Sequence, residues 1–209
     1  MRKVLLAVGV LALCGVGARA QRIEVFTGLS YGQFNPGANL TQTLRPFGRH
    51  FSMPGLEASG QLNLHSWLGV FVDVSYYGGA GDVDFSAEHA RIYNYLAGSQ
   101  LTARHIGPFN VFVRGLVGTT HARVSFPQFD TNGNQIGTVR NTETRLAYGV
   151  GGGIDANVSS HVALRLLQID YLRDAFTNCA PGSVSAGQCT AQAGHQDNYR
   201  AAAGFMWHF

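Results

Sequence analysis

Alternation between apolar and polar or small residues recurs in eight segments of this chain and limits what it can fold into. Successive side chains of a β-strand point to opposite faces, so a period of two predicts a strand. In the last segment one face carries four aromatic side chains, and the other is mostly small or polar. The predicted strands are Arg22–Gly32, Leu56–Leu64, Trp67–Tyr77, a strand within Ala90–Thr102, Phe109–Thr119, Glu143–Ala156, His161–Asp174 and Asp197–Phe209.

The connections between these segments alternate in length. Long connections follow predicted strands one, three, five and seven, and short turns follow strands two, four and six. Outer-membrane barrels of bacteria place short turns on the periplasmic side and long loops outside. We therefore predict an all-β fold, an eight-stranded antiparallel up-and-down transmembrane β-barrel with both termini on the periplasmic side. In the third connection, residues 120–142, Asn132-Gly133 predicts a hairpin tip.

The first twenty residues have the pattern of a secretory signal peptide. Met1-Arg2-Lys3 is basic, an apolar run follows, and Ala18 and Ala20 form a small-x-small cleavage site. We predict a signal peptide at 1–20 and an outer-membrane barrel domain at 21–209. Export makes one local disulfide the expected state of Cys179 and Cys189, which lie in a Gly/Ser-rich segment.

Charge is balanced once the signal segment is set aside. The whole chain has 15 basic and 12 acidic residues, and three of the basic ones are Arg2, Lys3 and Arg19. A neutral mature chain has no dense basic patch for nucleic acid, so no nucleic-acid partner is predicted. No metal or other cofactor is predicted either, because Asp130, Asn132 and Asn134 lack the glycine and glutamate that complete a calcium loop.

Charged residues within the predicted strands lie opposite the Val/Leu/Tyr face. A lipocalin-type carrier would have the inverse arrangement, whereas a membrane barrel keeps such charges inside, since an arginine facing lipid near the midplane costs about 2–4 kcal/mol. Strand seven needs a β-bulge near Leu166-Leu167 to bring its charges to one face. We also predict that Arg200 pairs with Glu24 and Asp170 on the flanking strands. The predicted lumenal charge network is Glu24, Glu57, Asp73, Arg114, Asp155, Arg165, Asp170 and Arg200.

Four stretches carry a family resemblance. The segments from Ala147 to Asp155 and from Val162 to Leu166, Asp170-Tyr171, and the closing Phe205 to Phe209 resemble the small outer-membrane β-barrels, which include the OmpA-type transmembrane domain and opacity-type surface proteins. The resemblance implies an outer-membrane location, a monomer in the lipid bilayer, and adhesin, anchor or small-channel roles. It also implies a C-terminal assembly signal for the barrel-assembly machinery, here Tyr199, Phe205, Trp207 and Phe209.

Three hypotheses of function remain open. The first is a structural or surface-recognition role with a host or environmental ligand, because function on a rigid barrel concentrates in its loops. The second is a narrow gated channel. The third is a lipid-modifying enzyme using His121 with Ser125 or His195 near Asp197, but these residues form no nucleophile-base motif, so we predict no enzyme. Candidate ligand contacts are Phe34, Arg45, Phe47, Arg49, Phe51, Phe126 and Phe129.

Overall fold

Eight antiparallel strands close into a barrel, which confirms the predicted fold class. The computed structural model describes residues 23–34, 51–79, 89–129, 135–178 and 192–209. Each strand pairs with the next along the chain, and β8 pairs with β1 to close the sheet. No helix in these ranges is long and apolar enough to cross a membrane. The strands are β1 (Ile23–Phe34), β2 (Phe51–Asn63), β3 (Leu68–Gly79), β4 (His89–Ile106), β5 (Phe109–Phe129), β6 (Gln135–Asn157), β7 (Val162–Asn178) and β8 (Gln192–His208).

The two ends of the barrel have different connections. At the short-turn end, residues 64–67, 107–108 and 158–161 join strands, β1 begins and β8 ends. Gly107 has a φ of 64°, a left-handed conformation that glycine adopts without steric cost and that the two-residue turn requires. The opposite end, called the long-connection end, is where residues 35–50, 80–88, 130–134 and 179–191 join the strands. These residues lie outside the described ranges, as do the predicted signal peptide with Ala18 and Ala20 and the cysteines Cys179 and Cys189.

The predicted third connection is wrong in its bounds. It was expected to span 120–142, but β5 continues to Phe129 and β6 begins at Gln135. The two strands stay paired from Thr120↔Arg145 to Gln128↔Gly137. Both faces of this stretch carry polar residues, so the sequence shows no hydrophobic alternation there. The backbone pairing does not need this alternation and continues beyond it. We call residues 120–129 and 135–145 the extended hairpin, because β7 pairs with β6 only as far as Ala147.

The predicted β-bulge in strand seven is confirmed. Opposite β8, the register shifts between Arg165 and Gln168. Opposite β6, Leu167 pairs with Ile154 and Arg165 pairs with Asp155. The extra residue restores parity, so Arg165, Gln168 and Asp170 are all buried in the barrel.

The outer face is apolar and bears two aromatic bands. Near the short-turn end the exposed aromatic side chains are Trp67, Phe109, Phe205, Trp207 and Phe209. Toward the long-connection end the outward aromatic side chains that the structure describes are tyrosines: Tyr31, Tyr76, Tyr93, Tyr95, Tyr148, Tyr171 and Tyr199. Exposed Val, Leu and Ile side chains lie between the bands. This arrangement matches the apolar band and flanking aromatic girdles of transmembrane barrels.

Glycines on the inward face of β6 make room for large inward side chains of the neighbouring strands. A Cβ on Gly151 would collide with Oδ1 of Asp170, and one on Gly153 would come within 2.6 Å of the Phe112 ring. These two glycines therefore allow the close approach that a filled, narrow barrel needs. Small apolar clusters occupy other levels of the interior, one of them formed by Phe71, Leu96, Leu116, Ala147 and Leu172.

Candidate functional site

Asp170 is the centre of a charged cluster inside the barrel. Its side chain is fully buried on β7, and it accepts hydrogen bonds from two guanidinium groups. Arg114 of β5 donates from Nε at 2.8 Å and from Nη2 at 2.6 Å, and Arg200 of β8 donates from Nε at 2.7 Å. Gln168 adds a hydrogen bond of 3.0 Å. Charge-assisted bonds of this kind are stronger than bonds between neutral groups, so Asp170 joins three strands at one level of the barrel.

Asp73 and Glu57 complete this cluster from the opposite wall. Arg200 binds both carboxylate oxygens of Asp73 of β3, at 2.8 and 3.1 Å. Glu57 of β2 accepts hydrogen bonds from Gln168 at 2.6 Å and from Arg114 at 3.3 Å. We call Arg114, Arg200, Glu57, Asp73 and Asp170 the central cluster. It holds three carboxylates and two arginines, and its members are 0–4% exposed.

A second buried ion pair involves Arg165 and Asp155. Arg165 donates to the two carboxylate oxygens of Asp155 at 2.8 and 3.1 Å, and its Nη1 donates to Gln168 at 2.7 Å. Its guanidinium lies 4.6 Å from the Phe26 ring centroid and 4.3 Å from that of Phe112. Stacking between two rings uses the planar, delocalised group that lysine lacks. Gln168 connects this pair to the central cluster.

The predicted pair between Arg200 and Glu24 is wrong. In the register of β1 with β8, Glu24 lies opposite His208, whereas Arg200 lies opposite Gly32. Eight residues of extended chain separate the two positions, about 26 Å along the strand, so the side chains cannot meet. Glu24 instead accepts hydrogen bonds from Arg104 at 3.0 Å and makes a 3.2 Å contact with His208 Nδ1, near the short-turn end.

Asp174 is an interior carboxylate that the sequence reasoning missed. It is buried and accepts hydrogen bonds from Thr120 at 3.1 Å and from Asn198 at 2.8 Å, above the central cluster. The signal was present, because Asp174 continues the inward period of Asp170 and Leu172. Arg104 was also missed, because it lies beyond the strand predicted within Ala90–Thr102, whereas β4 continues to Ile106.

All eight residues of the predicted lumenal network are buried on the inner face, and they separate into three groups. The central cluster contains Glu57, Asp73, Arg114, Asp170 and Arg200; Arg165 and Asp155 form the second pair; Glu24 lies near the short-turn end. Across the part of the chain that is described, no three His, Cys, Asp or Glu side chains are arranged to hold a metal ion. The arginines fill the space between the carboxylates instead.

The remaining predicted residues lie on the outer face or outside the described side chains. Tyr199, Phe205, Trp207 and Phe209 point outward and are 41–75% exposed. His121 makes a 2.7 Å hydrogen bond with Thr144. Phe34 points inward and meets the Tyr77 ring edge to face, so it caps the interior and does not reach outward. The other predicted side chains, Arg45, Phe47, Arg49, Phe51, Ser125, Phe126, Phe129 and His195, are not among the described ones.

An apolar outer wall with two aromatic girdles, around a polar and ion-paired interior, defines a transmembrane barrel of the bacterial outer membrane. The family model for the outer membrane protein beta-barrel domain matches residues 5–209. The chain belongs to this family and lies in the outer membrane. The short-turn end therefore faces the periplasm, and the long-connection end faces outside.

Solved structures with the same architecture include small surface barrels. Neisserial surface protein A superimposes with a TM-score of 0.59 at 13% identity, covering 90% of this chain and 97% of that chain. The attachment invasion locus protein Ail of Yersinia pestis gives a TM-score of 0.51 at 13% identity, covering 90% of this chain and 100% of that chain. A second structure of Ail, with the heparin analogue sucrose octasulfate, gives 0.52 at 14% identity and covers the same shares of the two chains. None of the curated proteins matches the chain.

Proposed function

We propose that this protein is a non-conducting barrel that presents its extended hairpin and long connections to a ligand outside the cell. The central cluster is the observation that supports a non-conducting barrel. Its five charged side chains come from β2, β3, β5, β7 and β8 and meet in the barrel interior. An eight-stranded barrel has room inside for side chains and little else, so ion pairs across its centre occlude the lumen.

Opening a path for solutes would require separation of these ion pairs. Removing the partner of a buried charge costs about 3–5 kcal/mol, so the occluded state is strongly favoured. A water-filled channel would also hydrate its charged lining, whereas the arginines at the centre of the barrel, Arg114, Arg165 and Arg200, are 1–4% exposed. These observations support an anchor role for the barrel and leave recognition to the parts outside the membrane.

The extended hairpin supports a recognition role. On the β7 side the pairing of β6 ends at Ala147, whereas β5 stays paired with β4 as far as Ser125 and with β6 as far as Phe129, so the two strands continue outward as a paired ribbon. The names of two similar structures, a Neisserial surface protein and an attachment invasion locus protein, are consistent with such a role in barrels of this shape. Because these structures share the fold at only 13% identity, their ligands cannot be transferred to this chain, and its ligand has to be inferred from its own exposed residues.

Two measurements test the proposal. Planar-bilayer recordings of the refolded full chain should show no conductance steps, and regular single-channel steps would refute the occluded lumen. For recognition, residues 124–141 can be replaced by Asn-Gly, which joins the paired residues Arg123 and Thr142 through a two-residue hairpin turn. We expect this variant to assemble normally and to lose most of the adhesion that the full chain confers on a non-adherent host strain. Unchanged adhesion would contradict a role for the hairpin.

One feature of the central cluster favours a gated channel as a second candidate. Besides Asp170, Arg114 lies 3.3 Å from Glu57 and 3.5 Å from Asp73, so the arginine has alternative carboxylates to which it could move. A channel of this kind would show rare openings whose frequency changes when Arg114 is replaced by glutamine. The absence of openings in recordings of both the unmodified chain and the Arg114→Gln variant would eliminate this candidate.

We further propose that the protein is a monomer without enzymatic activity, and that the barrel-assembly machinery binds its last strand. His121 bonds to the hydroxyl of Thr144, and none of the described carboxylates is hydrogen-bonded to the imidazole to orient it as a catalytic base. Unchanged lipid A acylation in a deletion strain would support the absence of lipid-modifying activity, and an altered acyl pattern would refute it.

A further inference from the structure

Two arginines lie directly opposite each other on the outer wall of the barrel. Arg91 of β4 and Arg123 of β5 are register partners, and both side chains are exposed and outward-facing. Residues in register on neighbouring strands have Cβ atoms about 4.5–5.5 Å apart. The pair is the next outward-facing pair beyond Tyr93 and His121, whose rings are 6.3 Å apart. It therefore lies just outside the tyrosine band.

Among the side chains that the structure describes, no carboxylate neutralises this pair and neither arginine makes a salt bridge. Like charges directly opposite each other destabilise a sheet. The wall formed by β7 and β8 has a different arrangement at the corresponding position. There the pair beyond Tyr171 and Tyr199 is Arg173 with Asp197, and these side chains form a 3.5 Å salt bridge.

Further hydrogen-bonding groups surround the two arginines. Gly78 of β3 is the register partner of Arg91, and the Tyr76 hydroxyl lies over it, where a side chain on Gly78 would be. On the other side, the exposed Thr142 of β6 is the register partner of Arg123. Four neighbouring strands thus place two guanidinium groups, a phenol and a threonine hydroxyl along one row of the outer wall.

We propose that Arg91 and Arg123 bind the phosphate group of a phosphorylated lipid in the outer leaflet. Tyrosines of membrane barrels mark the level where the hydrocarbon ends and the headgroups begin, and the pair lies on its outer side. Guanidinium groups match phosphate oxygens two at a time, and a bound dianion cancels the repulsion between the arginines. The apolar wall beneath the pair suits the acyl chains of the same lipid. This inference depends on the membrane location alone and is independent of the proposed recognition role.

The test measures lipid binding by the refolded full chain in a detergent without phosphate. The probes are diphosphoryl lipid A, the same lipid after removal of its phosphates, and inorganic phosphate. We expect the full chain to bind diphosphoryl lipid A at least about tenfold more tightly than the phosphate-free lipid, since bonds to charged groups are strong at a partly dry interface. Inorganic phosphate at the same concentration should bind far more weakly, because it lacks acyl chains.

Arg123→Glu is the informative variant. It replaces the repulsion with Arg91 by an ion pair like that of Arg173 and Asp197, so the barrel should fold at least as well as the unmodified chain, as gel heat-modifiability will show. Its affinity for diphosphoryl lipid A should fall by at least about tenfold. The matched control, Arg173→Gln, removes an arginine that already has a carboxylate partner and should leave the affinity unchanged. Arg91→Gln provides a second test with a smaller change in charge.

Several results would overturn the proposal. Equal lipid A binding by Arg123→Glu, by Arg91→Gln and by the full chain would remove the site. An equal loss in Arg173→Gln would indicate a general charge effect. Equal binding of the phosphate-free lipid, or of inorganic phosphate at the same concentration, would show that the ligand is not a lipid phosphate. Binding of sucrose octasulfate, added as a fourth probe, without any binding of lipid A would assign the arginines to a sulfated sugar instead.

Discussion

Replacement of Asp170 by asparagine tests whether the central cluster stabilises the barrel. The side chain keeps its size and shape but loses its charge. Three of its four hydrogen bonds come from guanidinium groups, two from Arg114 and one from Arg200. The change also replaces an accepting oxygen by an amide that donates, so at least one guanidinium N–H faces another donor.

The magnitude follows from these contacts. A hydrogen bond to a charged group contributes about 1.5–3 kcal/mol, and a neutral acceptor retains about half of that. Three such bonds weakened together give a loss of about 2–4 kcal/mol. The loss of one partner from a buried ion pair costs about 3–5 kcal/mol by an independent measure. We therefore expect Asp170→Asn to lower the free energy of unfolding by about 3 kcal/mol.

Urea titration of the folded barrel in phospholipid vesicles measures this difference. The chain has two tryptophans, Trp67 and Trp207, and both are exposed on the outer wall, so their fluorescence reports loss of the lipid environment. Asp197→Asn is the control. It removes a carboxylate from the outer-wall pair with Arg173, in which both side chains are about 40% exposed, and should cost less than about 1 kcal/mol.

The reasoning fails if Asp170→Asn unfolds within about 1 kcal/mol of the unmodified barrel. Such a result would mean that water or a shifted Arg114 replaces the lost bonds, and that the interior is wetter than the burial of these side chains implies. A cycle with Arg114→Gln would then show whether the two residues are coupled at all.

Three further predictions follow from other contacts. Gly151→Ala should destabilise the barrel by about 1–3 kcal/mol, because the new Cβ would meet a buried carboxylate oxygen. The control Gly115→Ala has open space at its Cβ and should be tolerated, and thermal unfolding in detergent compares the two variants. Arg165→Lys should cost about 2 kcal/mol in the same assay, because lysine keeps the charge but loses the bidentate bond and the stacking between two rings. Deletion of Phe209, whose N–H bonds to the Ile23 carbonyl, should reduce the heat-modifiable form in membranes, and normal assembly would exclude a signal role for this residue.

Much of the architecture could be predicted because it depends on the alternation of neighbouring residues along each strand. Inward and outward faces follow from a period of two, and the bulge near Leu166-Leu167 was predictable because Arg165 and Asp170 cannot share a face without it. Strand ends were less predictable. The strands of the extended hairpin have polar residues on both faces, so the sequence shows no hydrophobic alternation there. They are held by backbone hydrogen bonds, which the sequence does not reveal.

The charged residues of the interior could also be identified, but their partners could not. Arg200 was expected to bind a carboxylate on each flanking strand. It does bind Asp170 of β7, but its other partner is Asp73 of β3, across the barrel, and Glu24 lies near the periplasmic end. The alternating pattern along the chain predicts which face of the sheet each residue lies on. It does not predict the height of that residue along the barrel axis.

The sequence by itself determined the strand number, the two faces and the solvent on each side, because these follow from alternation and from the cost of exposing charge to lipid. The tertiary structure alone decided which charges meet. Closure of the sheet sets the stagger between strands, and the stagger brings Arg114, Arg200, Asp73 and Asp170 to one level. The same stagger places Arg91 against Arg123 on the outer wall and gives Arg173 a carboxylate.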